Sequence, residues 1–295
     1  MIIGIDLGNY GVKTSERVSF LSKISDLEAF TEENKTIYEG KELYVGEGEF
    51  STDWDKSMKE TTLPLLFTAL SRSSKENVFQ VVLGLPIQQY KQNKDKLKDL
   101  IERNRGKTLN VDGEERDIII ADVEIAPEGA SAYYNLSIDN KKLIGNKPLT
   151  IVDIGGRTTD VCLFKDKKIK AFKTIPVGML NVYTDIITEV NSRFTESFKL
   201  EDGENILKEG LFLYGEQQDI SFIKPILQRH FNSIYKELQL NFELSKGYVL
   251  LTGGGSLIFK SAFKNRLRNL IISNDPLYDN AIGFEKVGEQ LWLER

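Results

Sequence analysis

The chain has 295 residues, of which 40% are hydrophobic and 28% are charged, and its net charge is -5. This is the composition of an ordinary globular protein that is long enough for two medium domains with buried cores. The mild acidity gives no electrostatic footprint for nucleic acid or anionic lipid, so we expect no direct binding to either.

The numbers of cysteines and histidines limit the kinds of disulfide and metal site that the chain can form. Cys162 is the single cysteine, which excludes an intramolecular disulfide and favours a reducing compartment. His230 is the single histidine, which excludes a multi-histidine metal site. The apolar run before Asp6 is too short for a signal peptide, and no apolar run approaches the length of a membrane span. These features predict a cytoplasmic protein with no membrane partner.

The first half of the chain predicts buried strands that alternate with helices, because short apolar runs and amphipathic segments follow one another. Its predicted elements are a strand over 2–6, a glycine turn over 8–11, a polar and irregular segment over 14–60 with a short strand candidate at 42–45, a helix over 63–70, a strand over 78–85, a helix over 88–104, a strand over 118–125, a short helix over 129–136 and a polar break over 141–148.

The second half opens in the same way. Its predicted elements are strands over 149–153, 160–164 and 169–172, helices over 180–194 and 223–244, a strand over 248–252, and helices over 257–268 and 281–291. Ile3–Gly8 and Thr150–Gly155 share one pattern, a buried strand that ends in aspartate and then glycine. This repetition predicts a duplicated α/β domain with a ligand between the two copies.

The first motif is the turn after the opening strand. Gly8 and Gly11 let backbone N–H groups approach phosphate oxygens closely, Asn9 can donate from its side chain, and Lys13 can reach a phosphate. Asp6 at the strand end is placed to hold Mg²⁺ through water. A plain hairpin with a solvated aspartate is the alternative reading of this motif alone.

The second motif begins at Asp153 and continues with Gly155, Gly156, Arg157 and Thr158. It repeats the first motif with two glycines and hydroxyl donors, and its alternative reading is another tight hairpin. The two motifs together are more specific than either alone, because two such turns can clamp a phosphate chain and its metal ion from both sides.

A glycine triplet, Gly253, Gly254 and Gly255, follows a buried strand and, with Ser256, precedes the helix predicted over 257–268. Such a turn permits close backbone contact with a ring or sugar, and the helix N-terminus favours an anion. A flexible strand-to-helix connection would have the same sequence.

Two further features involve acidic side chains. Glu128 lies at a strand-to-helix junction, where it can orient or deprotonate an attacking water, or merely complement the helix dipole. Glu204 and Lys208 are four residues apart on a predicted helix face, where they can hold ribose hydroxyls or form an ordinary surface ion pair.

Taken in order, these motifs resemble the phosphate-1, phosphate-2 and adenosine motifs of the actin, sugar-kinase and chaperone ATPases. The segments 129–136 and 281–290 resemble the two connecting helices of that superfamily. The junction at 126–130, the motif at 153–160 and the tail at 278–283 are most similar to the ParM/StbA group, the bacterial actin-like plasmid-segregation proteins. Arg157 departs from that group, where a small or hydroxyl residue is more frequent; it either adds a phosphate contact or points away.

The resemblance implies an α/β actin-like fold with two ribonuclease-H-like domains that flank a nucleotide cleft. Domain I would span 1–146, with an insert at about 15–75 and a closing helix at 283–295 that returns to it. Domain II would span 147–282, with an insert at about 185–245. The first insert matches the group poorly, and in the group it carries filament contacts.

The resemblance also implies the ligands and the site. Glu128 would activate the attacking water, with Asp153 supporting both metal and water, and Mg²⁺ would be held through water by Asp6 and Asp153. ATP is the expected nucleotide, with GTP as the alternative. The predicted nucleotide-binding residues are Asp6, Gly8, Asn9, Tyr10, Gly11, Lys13, Gly155, Gly156, Arg157, Thr158, Gly178, Glu204, Lys208, Gly253, Gly254, Gly255 and Ser256.

Four functions remain open at this point. The resemblance implies a dynamic ATP-driven filament that moves plasmid DNA through an adaptor bound to a centromere-like site. A small-molecule kinase of the same superfamily, a membrane-associated actin relative for cell shape or division, and a nucleotide-locked scaffold are the alternatives. The sequence shows no substrate-recognition block, and the segment 290–295 is a poor membrane anchor.

Overall fold

The computed structural model describes residues 1–27, 34–166 and 168–293. The elements of the first half are β1 (Ile2–Leu7), β2 (Gly11–Thr14), β3 (Ser19–Leu21), β4 (Lys23–Ser25), β5 (Lys35–Tyr38), β6 (Lys41–Phe50), α1 (Thr62–Ser73), β7 (Val78–Leu85), α2 (Ile87–Glu102), β8 (Gly106–Val111), β9 (Glu114–Pro127), α3 (Ala132–Asn135) and α4 (Ile138–Ile144).

The second half has a similar alternation of strands and helices. Its elements are β10 (Leu149–Ile154), β11 (Thr159–Lys165), β12 (Lys168–Ile175), α5 (Met179–Phe194), α6 (Asp202–Glu209), β13 (Phe212–Leu213), β14 (Glu216–Gln217), α7 (Ile223–Asn241), β15 (Tyr248–Thr252), α8 (Ser256–Lys264), β16 (Leu270–Ile272) and α9 (Asp279–Trp292). Within the described ranges, no helix is both long enough and apolar enough to cross a bilayer.

Two large sheets organise these elements. The first has nine strands in the order β3-β2-β1-β7-β9-β8-β5-β6-β4, and the second has five in the order β12-β11-β10-β15-β16. Strands β1 and β10 occupy equivalent positions. Each pairs antiparallel with the next strand along the chain and parallel with a later one, β7 or β15. The repetition predicted between the two halves is therefore a repeated arrangement of paired strands.

The central strands are buried because helices cover them. Ile3 and Ile5 are fully buried in the first core, and β1 contacts both α1 and α9. Such two-sided burial explains why these strands appear as continuous apolar runs. Cys162 lies fully buried in β11.

Helix α9 follows the second sheet in the chain and packs on β1 and β7 of the first. Gly4 leaves room for this helix, because a Cβ there would overlap the carbonyl oxygen of Ala281. Gly283 allows α9 to cross the 131–135 region closely, because a Cβ there would overlap the carbonyl oxygen of Ser131. Small residues in the two predicted connecting helices thus permit a close crossing between the halves.

Two local predictions were wrong. The segment 14–60 is not irregular, since it contains β3, β4, β5 and β6, and the candidate at 42–45 is the middle of a longer strand. Their pairing is only partly local: β5 pairs with β6 across a short turn and with β8 far away in sequence, and the polarity of the segment hid these strands. The predicted break at 141–148 contains the end of α4, which is capped by Ser137 and buries Ile144.

Three helix predictions needed shorter bounds. The helix predicted over 129–136 is confined to α3, because Gly129 has a φ of 71°. The helices predicted over 223–244 and 257–268 end at Asn241 and Lys264. The domain limits at 146 and 282 and the two insert ranges stay predictions.

Candidate functional site

A cavity of about 350 Å³ lies where the carboxyl ends of β1 and β10 face each other. Ligands of α/β proteins bind beyond the carboxyl ends of parallel strands. The predicted site residues that line this cavity are Asp6, Gly8, Asn9, Tyr10, Gly11, Lys13, Glu128, Asp153, Gly155, Gly156, Arg157, Thr158, Glu204, Lys208, Gly253, Gly254 and Gly255.

The two aspartate-glycine turns are tight hairpins that meet across the cavity. Asp6 pairs with Lys13 between β1 and β2, and Asp153 pairs with Asp160 between β10 and β11. A Cβ at Gly156 would lie 2.5 Å from Cβ of Tyr10, so the two turns approach each other with no room for a methyl group. The two turns therefore line the same cavity.

Four carboxylates line the cavity, those of Asp6, Glu128, Asp153 and Asp160. The three aspartates are buried, and the Glu128 side chain is 12% exposed. Burial raises the pKa of Glu128 to about 7; the Lys56 charge opposes this rise, and the negative charges of Asp6 and Asp160 add to it. A carboxylate tuned near neutrality is suited to accept a proton from water.

The other two shifted acids have different surroundings. Burial raises the pKa of Asp160 to about 6 against hydrogen bonds from Thr174 and Thr158. Burial and then the Asp160 charge raise the pKa of Asp153, against a hydrogen bond from Asn280. Such a concentration of negative charge favours a bound cation.

Hydrogen bonds fix the orientation of these carboxylates. Asn280 Nδ2 donates to Asp153 Oδ2 at 2.8 Å, and the backbone N–H of Gly129 donates to Asn280 Oδ1 at 3.0 Å. Thr174 Oγ1 donates to Asp160 Oδ1 at 2.5 Å. Helix α9 therefore ties the loop after Glu128 to the acid at the end of β10.

The glycine triplet lies directly against β10. Gly253 has a φ of 78°, and a Cβ there would overlap Asp153 Oδ1. A Cβ at Gly255 would overlap the Ile154 side chain. Gly253 and Gly255 are therefore required for close packing at this turn, and all three glycines line the cavity.

Glu204 links the first turn to the second half. Its carboxylate accepts a hydrogen bond from Tyr10 Oη at 2.6 Å and pairs with Lys208 Nζ at 2.6 Å. Burial and Glu204 raise the pKa of Tyr10, so its hydroxyl stays a donor. The predicted Glu204–Lys208 pair on one face of α6 is confirmed, and both residues line the cavity.

Two predicted residues do not line the cavity. Gly178 lies behind the second turn, where a Cβ would be 2.5 Å from the carbonyl oxygen of Gly156. Ser256 is fully buried at the start of α8. Both positions support the turns rather than face the space between them, and a direct ligand contact from either stays a prediction.

The structure brings to the site several residues that were not predicted as site residues from the sequence. Asp160 and Asn280 lie within segments already singled out, so their position beside Asp153 was within reach of sequence reasoning. Lys56 Nζ pairs with Glu128 Oε1 at 2.5 Å, and Lys59 Nζ donates to Asn9 Oδ1 at 2.7 Å. Nothing in the local pattern of a polar segment marks these two lysines.

The donor set fits a hydrated cation. Asp6 Oδ1 is buried and accepts no hydrogen bond from any described residue. In the part of the chain that the structure describes, no three acidic, histidine or cysteine side chains converge closely enough to hold a metal ion alone. Mg²⁺ commonly keeps several waters and shares one or two carboxylates with substrate phosphates. Asp6 and Asp153 could hold Mg²⁺ in that way.

Comparisons with known proteins agree with this geometry. The family model of the N-terminal domain of actin-like proteins matches residues 4–130, and that of the MreB-like C-terminal domain of archaeal actin homologues matches residues 151–265. No curated protein sequence matches the chain significantly.

Solved structures resemble almost the whole chain. Ta0583, an archaeal actin homologue, has a TM-score of 0.83 at 19% identity, and the match covers 98% of this chain and 99% of that one. A subunit of a 15-stranded ParM filament from Clostridium botulinum has a TM-score of 0.84 at 21% identity with the same coverage. The complex of Ta0583 with ADP has a TM-score of 0.81 at 19% identity, again with the same coverage. The predicted two-domain actin-like fold is confirmed.

Proposed function

Since the chain belongs to the actin-like proteins, we propose that it is an ATPase that polymerises with Mg-ATP and drives the segregation of plasmid DNA. The observation that carries this proposal is the pair of aspartate-glycine turns around a cavity lined by four carboxylates, with Glu128 among them. This arrangement offers backbone donors for phosphates, acids for a hydrated metal ion and a base for water in one cavity.

Hydrolysis would follow from the positions of these groups. The turns at 8–11 and 155–158 would hold the phosphate chain from both sides, and Glu128 would accept the proton of the attacking water. Mg²⁺ held through water by Asp6 and Asp153 would neutralise charge on the phosphates. Asn280 would keep the Asp153 carboxylate directed at that position.

ATP is the proposed nucleotide, with GTP as the alternative. The ADP complex of the archaeal homologue supports an adenine nucleotide. Glu204 and Lys208 line the cavity on α6, where the carboxylate can accept hydrogen bonds from ribose hydroxyls. The glycine triplet would contact the nucleoside from the opposite side.

Filament formation is supported by two structural neighbours that were solved as filaments, a ParM filament and an Alp12 filament. We propose that a second copy of this chain is its main partner and that the filament works in the cytoplasm. An adaptor protein bound to centromere-like plasmid DNA would connect the filament to its cargo.

The test follows light scattering and phosphate release together after Mg-ATP is added, with pelleting and electron microscopy of the product. A dynamic filament should scatter, release phosphate and then disassemble as ATP is consumed. Scattering without phosphate release would indicate a nucleotide-locked scaffold. Phosphate transfer to an added small molecule without scattering would indicate a kinase, and pelleting only with lipid vesicles would indicate a membrane-associated relative.

A further inference from the structure

Residues 51–60, which we call the strap, connect β6 to α1 and contact two residues that line the cavity, Glu128 through Lys56 and Asn9 through Lys59. The strap has side chains on two opposite sides. Trp54 and Met58 are 49% and 73% exposed, whereas Lys56 is only 2% exposed. A lysine is seldom so deeply buried unless it is paired, so the inner side of the strap has a defined partner.

That partner is the candidate water-activating acid. Lys56 Nζ pairs with Glu128 Oε1 at 2.5 Å and donates to the carbonyl oxygen of Gly84 at 3.0 Å. The carbonyl oxygen of Lys56 accepts a hydrogen bond from Thr62 Oγ1 at the start of α1. Because both ends of Lys56 are held, it restricts where the Glu128 carboxylate can lie.

The second aspartate-glycine turn also contacts the strap. Arg157 belongs to the second turn, and its guanidinium donates to the carbonyl oxygens of Ser51, Thr52 and Asp53 at 2.6, 3.2 and 3.0 Å. It also lies over the Trp54 ring at 5.0 Å. These contacts join a turn of the second sheet to the strap, which lies between β6 and α1 in the first half of the chain.

Arg157 departs from the ParM/StbA group, and its contacts show where its side chain is directed. Three of the five guanidinium N–H donors are used on strap carbonyls. A planar fork spreads its donors over two nitrogens that face three adjacent carbonyls, whereas an ammonium group has its three donors on one nitrogen at the end of a flexible chain. Arg157 is thereby directed at the strap rather than at the centre of the cavity.

We propose that Arg157 is a positioning residue that clasps the strap across the cleft and so holds Lys56 against Glu128. Closure of the two halves then completes the water-activating group, because the clasp joins one half to the other. Opening of the cleft would release the strap and leave Glu128 free to move. The inference rests on the proposed hydrolysis and adds to it a residue whose effect passes through Lys56.

The kinetic test compares Arg157→Ala, Arg157→Lys, Lys56→Met and the double variant Arg157→Ala/Lys56→Met. We expect Arg157→Ala to lower kcat for phosphate release about 10- to 100-fold, as for a slightly misplaced catalytic group, with the Kd for Mg-ATP changed less than about threefold. Arg157→Lys should resemble Arg157→Ala, since charge alone cannot clasp the strap. The double variant should equal Lys56→Met, because groups that act as a unit are not additive.

A second readout does not depend on hydrolysis. The chain has two tryptophans. The contribution of Trp54 to acrylamide quenching is therefore obtained by comparing the fluorescence of the parental protein with that of Trp54→Phe. We expect Arg157→Ala to increase Trp54 quenching. Met58→Ala is the matched control, since this exposed strap side chain should leave both kcat and quenching unchanged.

Three results would overturn the proposal: unchanged Trp54 quenching in Arg157→Ala, parental kcat in Arg157→Lys, or multiplicative losses in the double variant. A large loss of Mg-ATP affinity in Arg157→Ala would likewise assign the guanidinium to the phosphates. If the parental protein releases no phosphate, the proposed function fails, and the quenching comparison alone then decides whether the clasp forms.

Discussion

Asn280 Nδ2 donates a hydrogen bond of 2.8 Å to Asp153 Oδ2, which joins α9 to the carboxylate at the end of β10. The same side chain accepts from the backbone of Gly129, one residue after Glu128. One amide thus sets the relative position of the acid proposed for the metal ion and the acid proposed for the water.

The first prediction concerns this amide. Asp153→Ala should lose most phosphate release, because one of the two carboxylates proposed for the hydrated metal ion is removed. Asn280→Ala should lower it less, since the acid remains but its orientation is lost. Phosphate release at saturating Mg-ATP measures both. Parental hydrolysis in Asp153→Ala would contradict the two-aspartate clamp.

The second prediction separates filament formation from filament turnover. Glu128→Ala should reduce phosphate release about a hundred- to ten-thousand-fold, the usual cost of losing a positioned base. Binding should survive, because the turns and the metal ion supply it, so filaments should form and persist. Light scattering should rise to a plateau for Glu128→Ala, whereas the parental signal rises and decays.

Glu124→Ala is the matched control for this experiment, since Glu124 lies on β9, the strand that ends just before Glu128, and pairs with Lys98 without lining the cavity. It should behave as the parental protein does. A Glu128→Ala signal that decays at the parental rate would assign water activation to another group.

The third prediction follows from the pKa of Glu128, which is about 7 in the folded protein and has an ordinary value of 4.5. The folded state binds this proton more tightly than the unfolded state, so the stabilisation is present below pH 4.5 and is lost as pH rises through 7. Each pKa unit corresponds to about 1.4 kcal/mol. The nucleotide-free protein should therefore lose stability relative to Glu128→Gln between pH 4.5 and 7.

Thermal unfolding of both proteins across this pH range measures the effect. The Tm of the parental protein minus that of Glu128→Gln should fall as pH rises. A difference that stays constant would show that Glu128 does not titrate in this window.

The fourth prediction concerns the crossing of α9 with the 131–135 region. A methyl group at Gly283 would overlap the backbone of Ser131, so Gly283→Ala should force the two segments apart and hinder closure of the cleft. The critical concentration for polymerisation should rise. Ala281→Phe should act in the same direction with a larger loss of stability, because Ala281 is fully buried against β1.

Gly106→Ala controls for the loss of a glycine, since an added Cβ there meets no other atom within 4 Å. Circular dichroism should establish that each variant is folded before polymerisation is measured. A folded Gly283→Ala protein with the parental critical concentration would argue against a hinge at this crossing.

The sequence predicted the part of the site that is encoded locally. Asp6 and Asp153 each end an apolar run and precede glycine, so their place at strand ends follows from short-range pattern. Glu128 was found because it lies at a strand-to-helix junction. These features depend on neighbouring residues, and the structure brings them together at the facing ends of β1 and β10.

The parts that the sequence missed depend on long-range contacts. Lys56 lies 72 positions before Glu128, and in a polar segment its charge looks like that of a solvated loop. The polar strands between residues 19 and 50 were mostly missed: β5 and β6 form a local hairpin, but that hairpin joins the sheet through the distant β8. The helix α4 did have a local signal, since Ser137 precedes it and Gly145 follows it, and the surrounding lysines hid that signal.

The burial of Cys162 in β11 has a practical consequence for labelling chemistry. Its thiol is the only one in the chain and is inaccessible, and burial raises its pKa further, so maleimide reagents should not react with it under native conditions. A cysteine introduced at an exposed position would then be the sole reactive thiol. Site-specific fluorophores could therefore be attached without first removing a native residue, and single filaments could be followed by light microscopy.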